Sequence, residues 1–378
     1  MRVAFFSDTY LPQINGVSKT IARLRNYLKS NGIESIVLIP ETGIGNNDEE
    51  VYCFRSYRLP FYPELKLAIP TEREVNIILS KFQPDIVHLV TEFTMGYSGL
   101  RWAQKNNIPI ASSYHTNFAD YAAYYNYPFL SHLFWYYLIW FHNQSHINFC
   151  PSHETLEILK SKGINNLLIW GRGVDGEFFN PFKRKPEIRK YFGINVDEIA
   201  LLYVGRIAPE KNIDILFDAF KIVKKIFSNI KLIIAGSGPS EAFYKSLNIP
   251  DIIFTGELDQ EKLSILYASS DIFTFPSTSE TYGNVVLEAM SSGLPVVAPF
   301  CGGIKENLKD GFNGISYKSN SPKDMANAII KLINNKNLRK IFGIYARKHA
   351  ETRIWNQTMS VVLKGYYNCI NNTKVKLA

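Results

Sequence analysis

The feature that most constrains the fold is an alternation of short runs rich in β-branched residues with longer amphipathic runs, which restarts after residue 195. Strands are predicted at residues 3–6, 36–39, 86–89, 110–113, 200–204, 231–234, 252–255, 272–276 and 296–298. Helices are predicted at residues 17–31, 99–105, 213–226, 260–268 and 283–292. Because strands alternating with helices form parallel sheets with helices on both faces, we expect an α/β fold with two Rossmann-like halves.

The length of 378 residues is more than twice the roughly 150 residues of a typical domain, so we expect two domains. A turn-rich stretch at residues 171–175, followed by Asn180 and Pro181, is typical of a linker between domains. We therefore predict a first domain at residues 1–172 and a second domain at residues 173–354.

Composition and cysteine spacing narrow the class of protein. Hydrophobic residues make up 46% of the chain and charged residues 20%, which is typical of a globular protein rather than a disordered one. The four cysteines lie far apart without a CxxC pair, so we expect no zinc site, no disulfides and a cytoplasmic location. The apolar stretch at residues 129–149 is interrupted by histidine, asparagine and glutamine, which makes it too polar for a membrane span.

Two cations lie close together in the loop after the first predicted strand of the second half. Arg206 and Lys211 stand just before a helix that Asn212 is placed to cap. Arginine offers a two-pronged hydrogen-bond donor and lysine a point charge, and the combination suits a diphosphate. A solvated surface loop is the alternative interpretation of the same residues.

Two carboxylates and a glycine mark the start of a later helix. Gly283 and Asn284 lie where the helix should begin, so its free backbone N–H groups would favour a phosphate. Glu280 precedes this helix, and Glu288 lies about one turn inside it. Because carboxylates accept hydrogen bonds from hydroxyl groups, we interpret the two acids as contacts to two sugars of one ligand. Solvated helix charges are the alternative, which the neighbouring cations disfavour.

The strand ends of the first half give weaker signals. Gly16 stands at a strand-to-helix junction, where a backbone N–H can approach an anion or where a turn simply needs glycine. His115 follows a predicted strand, either as a site residue or as a structural histidine. His142 and His146 have the spacing of metal ligands without an evident third ligand, so we expect core or surface residues.

Taken in order, these residues resemble the retaining glycosyltransferases of family four, which have the GT-B architecture of two Rossmann-like domains facing across a cleft. The most specific motif is the pair Glu280 and Glu288 in combination with Arg206 and Lys211. Further matching motifs lie at residues 6–17, 115–118, 170–175, 205–212 and 276–283. The motifs at residues 6–17, 115–118 and 170–175 are most similar to a subgroup containing GDP-mannose-dependent α-mannosyltransferases and sulfoquinovosyl- or glucosyl-diacylglycerol synthases. The C-terminal segment resembles the final helix of the family, which implies that residues 355–378 pack back on the first domain.

The resemblance implies a role for each of the four charged residues. Arg206 and Lys211 would bind the diphosphate of a nucleotide-sugar donor. Glu288 would bind the nucleotide ribose, and Glu280 would contact the transferred sugar.

The resemblance also assigns residues outside this group of four. Gly16 would lie against the donor phosphates, and His115 would lie beside the donor sugar as a catalytic residue together with the two cations and Glu280. Further donor contacts are predicted at Gly236, Ser237, Glu257, Tyr282, Gly283, Asn284 and Val285. Acceptor contacts are predicted at Asp8, Tyr10, Asn15 and Asn117.

The implied reaction is transfer of a hexose from a nucleoside diphosphate sugar, with retention of the anomeric configuration and without a metal or other cofactor. Mannose from GDP-mannose is the first expectation, and glucose from UDP-glucose is the second. The sequence has no DxD motif to hold a metal beside the diphosphate, so the cations would stabilise the leaving group. Two other functions stay open: a non-catalytic GT-B subunit that binds nucleotide sugar or acts as a scaffold, and a nucleotide-sugar epimerase.

An aromatic stretch at residues 121–140 bears on the acceptor. Its rings belong to Tyr121, Tyr124, Tyr125, Tyr127, Phe129, Phe134, Trp135, Tyr136, Tyr137 and Trp140. Tyrosine and tryptophan favour the membrane interface, although packing in the core or around a soluble acceptor would use the same rings. The formal charge of +8 favours an anionic surface, so we predict peripheral attachment to the inner face of a membrane. We also predict a lipid or carbohydrate acceptor and no nucleic-acid partner.

Overall fold

A computed structural model describes residues 1–13, 15–41, 48–59, 62–115 and 128–377. Its internal contacts divide the chain into two compact units. Unit 1 comprises Met1–Gly171 with Asn356–Ala378, and unit 2 comprises Arg172–Trp355. The boundaries predicted between residues 172 and 173 and between residues 354 and 355 lie one residue away from these.

Each unit contains a parallel sheet. The strands of unit 1 are β1 (Arg2–Phe6), β2 (Glu34–Pro40), β3 (Val51–Phe54), β4 (Ser56–Leu59), β5 (Tyr62–Ala68), β6 (Ile86–Leu89), β7 (Ile110–Ser113), β8 (Ile147–Cys150) and β9 (Leu167–Ile169). The strands of unit 2 are β10 (Ile199–Val204), β11 (Ile230–Ala235), β12 (Ile252–Gly256), β13 (Ile272–Thr274), β14 (Val296–Pro299) and β15 (Gly314–Tyr317).

The order of the strands gives each sheet its doubly wound topology. In unit 1 the order is β3-β2-β1-β6-β7-β8-β9, and in unit 2 it is β12-β11-β10-β13-β14-β15. All pairings within these two sheets are parallel, while β4 and β5 form a separate antiparallel pair. The predicted α/β fold with two Rossmann-like sheets is confirmed.

Helices connect the strands. They are α1 (Gly16–Ser30), α2 (Glu72–Phe82), α3 (Thr94–Lys105), α4 (Pro128–His142), α5 (His153–Ser161), α6 (Pro186–Tyr191), α7 (Ile213–Lys224), α8 (Glu241–Ser246), α9 (Gln260–Ser269), α10 (Asn284–Ser291), α11 (Pro322–Asn334), α12 (Lys336–Glu351) and α13 (Trp355–Leu377). Short 3-10 helices lie at Pro181–Lys183, Pro209–Lys211 and Gly302–Glu306. None of the described helices is both long enough and apolar enough to cross a bilayer.

Burial of apolar side chains on both faces holds each sheet in place. Strands β1 and β10 read as nearly continuous apolar runs because helices cover both faces of a parallel sheet. Helix α7 buries residues at helical spacing against the core of unit 2: Ile213, Leu216, Phe217, Phe220 and Val223. The parallel strands of each sheet end at one edge, and the loops there contain predicted site residues such as Asp8, Arg206 and Glu280.

Candidate functional site

In unit 2, the loop after β10 is joined to the loop after β13 by side-chain hydrogen bonds. The Asn212 side chain donates from Nδ2 to Thr278 Oγ1 at 3.2 Å, and Ser279 Oγ donates to the backbone oxygen of Glu210 at 3.1 Å. Asn212 has a left-handed backbone with a φ of 51° and makes no side-chain cap on α7. Asn212 therefore stands at the predicted N-cap position, but its side chain joins the two loops instead of capping the helix.

An ion pair also joins these two loops. Lys211 Nζ lies 3.0 Å from Glu280 Oε2, and the two side chains are 14% and 23% exposed. Partial burial strengthens the attraction relative to a fully solvated pair, while the remaining exposure leaves both groups within reach of a ligand. The structure thus brings together two of the four charged residues that the sequence singled out.

Arg206 has an acidic neighbour of its own. Its Nη1 atom lies 3.9 Å from Glu210 Oε1, and the Tyr203 hydroxyl donates to the Arg206 backbone oxygen at 2.9 Å. The Glu210 side chain is only 2% exposed, and within the described part of the chain its Oε2 atom has no hydrogen-bond partner. Burial raises the pKa of Tyr203, so this hydroxyl keeps its proton and remains a donor. Arg206 is therefore held at the strand end by both its backbone and its charge.

A pair of glycines packs against the backbone of Glu280 and Thr281. Gly303 N donates to the Glu280 backbone oxygen at 2.7 Å. A Cβ on Gly302 would lie 2.6 Å from that same oxygen, and a Cβ on Gly303 would lie 2.1 Å from the Thr281 oxygen. Only glycine permits this close approach, so the loop after β14 sets the position of Glu280. Sequence reasoning assigned no role to this Gly-Gly pair, although two adjacent glycines after a strand were a usable signal.

Helix α10 begins beside the same loops. Gly283 adopts a φ of +82° as the residue before the helix, and its oxygen accepts from the N–H groups of Val286 and Leu287. The first N–H groups of a helix have no acceptor within the helix, and they place positive potential at this end. Asn284 Oδ1 is buried without a hydrogen-bond partner among the residues described. The first N–H groups of the helix, rather than this acceptor oxygen, make the helix start suited to an anionic group.

Glu288 lies on α10 and is held by a buried tyrosine. The Tyr267 hydroxyl lies 3.1 Å from Glu288 Oε2 and 3.3 Å from the Val285 oxygen. Burial, together with the nearby carboxylate, raises the pKa of Tyr267 well above its usual value, so the phenol remains a hydrogen-bond donor. Sequence reasoning missed Tyr267, which is 21 residues from its partner.

The turn after β11 is closely packed. Ser237 Oγ hydrogen-bonds Glu257 Oε1, and Ile207 N donates to the Ser237 backbone oxygen at 2.8 Å. A Cβ on Gly236 would lie 2.1 Å from the Gly205 oxygen, so only glycine fits there. The structure therefore brings together the predicted donor residues Gly236, Ser237 and Glu257.

The side chains of Tyr282 and Val285 are uncharged, and that of Tyr282 is buried. The Tyr282 hydroxyl donates to the Arg172 oxygen at 3.0 Å, and the side chain packs in the core of unit 2. Any contact of Tyr282 with a donor would therefore come from its backbone. Val285 is only partly buried on the first turn of α10, and its backbone oxygen lies near Tyr267.

In unit 1, Asp8 follows β1 and is 3% exposed. Its carboxylate accepts from Thr91 Oγ1 at 2.6 Å, from Thr94 Oγ1 at 3.1 Å and from Met95 N at 3.1 Å. Burial raises the pKa of this carboxyl group to about 6, against the lowering effect of these hydrogen bonds. Asp8 therefore stabilises the start of α3, and its predicted acceptor contact stays a prediction.

Tyr10 and Asn15 also make internal bonds. Arg25 donates from Nη1 to the Tyr10 hydroxyl at 2.9 Å, and Tyr10 is buried. The Asn15 side chain accepts from Ser18 N at 2.9 Å as the cap of α1, whose first residue is Gly16. Asn117 lies outside the described residues, as do the first four tyrosines of the aromatic stretch.

The histidines of unit 1 fall into separate groups. The His115 ring packs edge-on against Trp170, with 5.6 Å between ring centroids. His142 is buried between Glu92, Ser112 and Asn148, and His146 Nδ1 accepts from Ile110 N. Among the described residues, no group of three or more histidine, cysteine, aspartate or glutamate side chains could hold a metal ion.

A further buried histidine joins the C-terminal helix to the sheet. His88 on β6 hydrogen-bonds Tyr366 of α13 through Nδ1 and Ser113 of β7 through Nε2. Burial lowers the pKa of His88 to about 3, so the ring is neutral near pH 7. Sequence reasoning did not single out this group, which stabilises the attachment of α13.

Several aromatic and apolar side chains on α3 and α4 are exposed. They belong to Tyr97, Leu133, Tyr136 and Trp140. The rings of Tyr97 and Trp140 lie 6.3 Å apart between centroids, which makes the two helices contribute to one surface. Arg101, one turn after Tyr97 on α3, is also exposed. We call these five residues the aromatic surface.

Two family models match the chain: Glycosyltransferase Family 4 at residues 14–178 and Glycosyl transferases group 1 at residues 184–349. The chain is 30% identical to a GDP-mannose-dependent alpha-mannosyltransferase of Corynebacterium glutamicum, over 98% of this chain and 89% of the relative. It is also 30% identical to an alpha-monoglucosyldiacylglycerol synthase of Streptococcus pneumoniae, over 88% and 78%. The crystal structure of Anabaena HepE in complex with UDP and glucose is similar, with a TM-score of 0.78, 16% identity and coverage of 97% and 99%.

Proposed function

Since the chain belongs to glycosyltransferase family 4, we propose that it transfers a hexose from a nucleoside diphosphate sugar to a lipid or glycan acceptor with retention of the anomeric configuration. The family, the GT-B fold and the enzyme class are those that the sequence predicted. Mannose from GDP-mannose is our first choice of donor, because the corynebacterial relative is GDP-mannose-dependent. Glucose from UDP-glucose is the second.

The observation that supports this function best is the meeting of Lys211 and Glu280 at the strand ends of unit 2, beside the start of α10. As the bond between the sugar and the diphosphate breaks, negative charge grows on the leaving phosphate oxygens. Arg206, Lys211 and the first N–H groups of α10 would stabilise that charge more in the transition state than in the ground state. These cations would act without a metal ion.

Carboxylates would orient the two sugars of the donor. Glu288, held by Tyr267, would accept hydrogen bonds from the ribose hydroxyls, and Glu280 would accept from the transferred sugar. A leaving phosphate oxygen would then take the proton of the acceptor hydroxyl on the face from which the diphosphate departs. The acceptor oxygen forms its bond to the anomeric carbon as the phosphate bond breaks, which retains the configuration.

We further propose that the acceptor is a membrane lipid and that the aromatic surface of unit 1 attaches the enzyme peripherally to the inner face of a membrane. Tyrosine and tryptophan rings suit the interface because one end is apolar and the other is polar. Arg101 and the formal net charge of +8 favour an anionic bilayer. The name of the pneumococcal relative, a monoglucosyldiacylglycerol synthase, supports a lipid acceptor.

Acceptor-dependent release of nucleoside diphosphate tests the proposed reaction. GDP-mannose or UDP-glucose is incubated with and without diacylglycerol or phosphatidylinositol vesicles, and proton NMR assigns the anomeric configuration of the product. We expect release only with an acceptor and an α-linked product. A non-catalytic subunit would bind nucleotide without release, and an epimerase would convert or hydrolyse the donor without acceptor; either result would contradict the proposal.

Vesicle co-sedimentation tests the membrane attachment. We expect binding to phosphatidylglycerol vesicles at low salt, weaker binding at high salt and loss of binding in a Leu133→Ser, Tyr136→Ser, Trp140→Ser variant. Phe182→Ser, which removes an exposed aromatic side chain from unit 2, is the matched control and should bind normally. Absence of binding by the unaltered protein at low salt would remove the membrane proposal and leave glycosyl transfer untouched.

A further inference from the structure

We infer that Glu280 makes the donor site select the sugar-bearing nucleotide over the free nucleoside diphosphate, because it competes with the diphosphate for Lys211. This inference rests on the proposed function, in which Lys211 binds the donor diphosphate. It adds a specificity-determining role to Glu280 beyond contact with the transferred sugar.

The backbone of Glu280 is fixed, whereas the side chain of Lys211, for which Glu280 and a phosphate would compete, can move. The backbone oxygen of Glu280 accepts from Gly303 N, and both glycines of the β14 loop lie too close to this segment for any Cβ to fit. Lys211 ends a single 3-10 turn and reaches Glu280 with a flexible four-carbon side chain. A phosphate that arrives at this loop can therefore draw the ammonium group away from the carboxylate, which is tied by its fixed backbone to the neighbourhood of the loop.

The cost of that exchange depends on the ligand. When Lys211 turns to a phosphate, Glu280 loses the partner at 3.0 Å and remains, only 23% exposed, near a second anion. A hexose on the diphosphate brings hydroxyl donors that replace the lost hydrogen bond to the carboxylate. A free nucleoside diphosphate lacks the hexose, and its ribose hydroxyls are assigned to Glu288, so Glu280 penalises the product more than the donor.

The other cation of the site has a different acidic neighbour. Glu210 lies 3.9 Å from Arg206, beyond hydrogen-bond distance, and its side chain is 2% exposed. Binding of phosphate to Arg206 therefore breaks no hydrogen-bonded ion pair with Glu210. The Lys211–Glu280 pair, in contrast, combines a direct hydrogen bond with enough exposure for a ligand to take one partner.

Calorimetric titration of full-length protein without acceptor tests the inference, with GDP and GDP-mannose as probes and UDP and UDP-glucose in parallel. In Glu280→Gln we expect free GDP to bind roughly 10-fold more tightly than in the unaltered protein, a gain of about 1.4 kcal/mol. The affinity for GDP-mannose should stay the same or fall, so the preference for donor over product shrinks by at least that factor.

Two control variants separate this effect from a general loss of negative charge. Glu288→Gln removes the other carboxylate of the site and should weaken GDP binding. Glu261→Gln removes a carboxylate of α9 that pairs with Lys183, and it should leave both affinities unchanged. Tighter GDP binding in either control would mean that charge alone explains the result and would overturn the inference.

A double-mutant cycle tests whether Glu280 affects GDP binding through Lys211. In a Lys211→Met background, Glu280→Gln should change GDP affinity less than twofold. A full 10-fold gain in that background, or equal or weaker GDP binding in Glu280→Gln itself, would overturn the inference. Glu280→Asp, which withdraws the carboxylate by one methylene, should give an intermediate gain and tests the inference if Glu280→Gln fails to fold. If the unaltered protein binds none of the four probes, the proposed function itself fails.

Discussion

The loops at the strand ends contain polar side chains in both units, but these side chains differ in burial and in hydrogen bonding. In unit 2, Lys211 and Glu280 form an ion pair whose members keep part of their side chains exposed. In unit 1, Asp8 is buried and accepts three hydrogen bonds, and Tyr10 is buried against Arg25. A partly exposed ion pair can exchange a partner for a ligand group, whereas a buried and satisfied carboxylate can do so only at the cost of its bonds. The comparison favours ligand binding in unit 2 and a structural role for these residues of unit 1.

The largest expected effect comes from removing a cation of unit 2. Arg206→Ala or Lys211→Ala should lower kcat by ~100-fold or more and change donor affinity less, because each cation stabilises the leaving diphosphate most strongly in the transition state. Lys221→Ala, which removes an exposed lysine paired with Asp218 on α7, should leave the kinetics unchanged. Steady-state kinetics that show a loss of affinity alone, with kcat intact, would contradict the leaving-group role.

The next effect concerns Asp8 in unit 1 and the pH dependence of stability. Its folded-state pKa of about 6 lies above the ordinary 3.8, so the folded state binds more protons than the unfolded state between these values. The contribution of Asp8 to the free energy of unfolding is fully present below about pH 3.8 and is lost as the pH rises through about 6. The free energy of unfolding of Asp8→Asn, relative to that of the original protein, should therefore rise by on the order of 2–3 kcal/mol between pH 4 and pH 7.

Urea unfolding at the two pH values measures this difference. A constant offset between Asp8→Asn and the original protein would contradict the buried, protonatable carboxyl group. The kinetics of the same variant then show whether Asp8 has a structural role or contacts the acceptor. An unchanged acceptor KM supports a structural role, and a raised acceptor KM with an unchanged donor KM supports the acceptor contact predicted from the sequence.

A third effect concerns the ribose contact of unit 2. Glu288→Ala should weaken nucleotide binding by ~1–3 kcal/mol, because the ribose hydroxyls lose their acceptor. Tyr267→Phe should weaken it in the same direction by a smaller amount, since it removes only the hydrogen bond that orients Glu288. Calorimetry that finds the same nucleotide affinity in both variants and in the unaltered protein would show that Glu288 has no part in the site.

The smallest effect belongs to the buried histidine of unit 1. Tyr366→Phe removes the hydroxyl that bonds His88 and should lower the free energy of unfolding by ~1–2 kcal/mol at pH 7. Nucleotide affinity should stay unchanged, because this bond joins α13 to the sheet of unit 1. Unchanged stability of the variant would mean that the bond contributes nothing to folding. Weaker nucleotide binding would contradict the assignment of a purely structural role to this bond.

The sequence predicts where two cations of unit 2 lie for a physical reason. Arg206 and Lys211 stand in the loop that follows the apolar run of β10, and parallel strands end at one edge, so their placement there depends only on local pattern. Their roles in donor binding stay predictions. The ion pair between Lys211 and Glu280 joins residues 69 apart and required the structure. So did the Gly303 contact that fixes Glu280, because no local pattern encodes which backbone it approaches.

Residues of both units show what local pattern leaves out. Asp8 stands after a strand like Arg206, but its partner Thr91 is 83 residues away, and only tertiary contacts make it a buried helix-stabilising group. Asn212 precedes a helix as a cap would, yet its left-handed backbone turns the side chain to Thr278. Among the elements that were not predicted are the antiparallel pair β4 and β5, which lies outside the two parallel sheets, and the helix α2, although its run is amphipathic.

Hydrogen exchange measured by mass spectrometry, with and without saturating GDP, locates nucleotide binding in the unaltered protein and so tests whether the donor site lies in unit 2. We expect slower exchange at residues 205–212 and 278–289 of unit 2, where the two cations, Glu280 and the start of α10 lie. Residues around Thr91 and Met95, which bond Asp8, should exchange at the same rate with and without GDP. Saturated binding that leaves both segments of unit 2 unprotected would contradict the assignment of the donor site to unit 2.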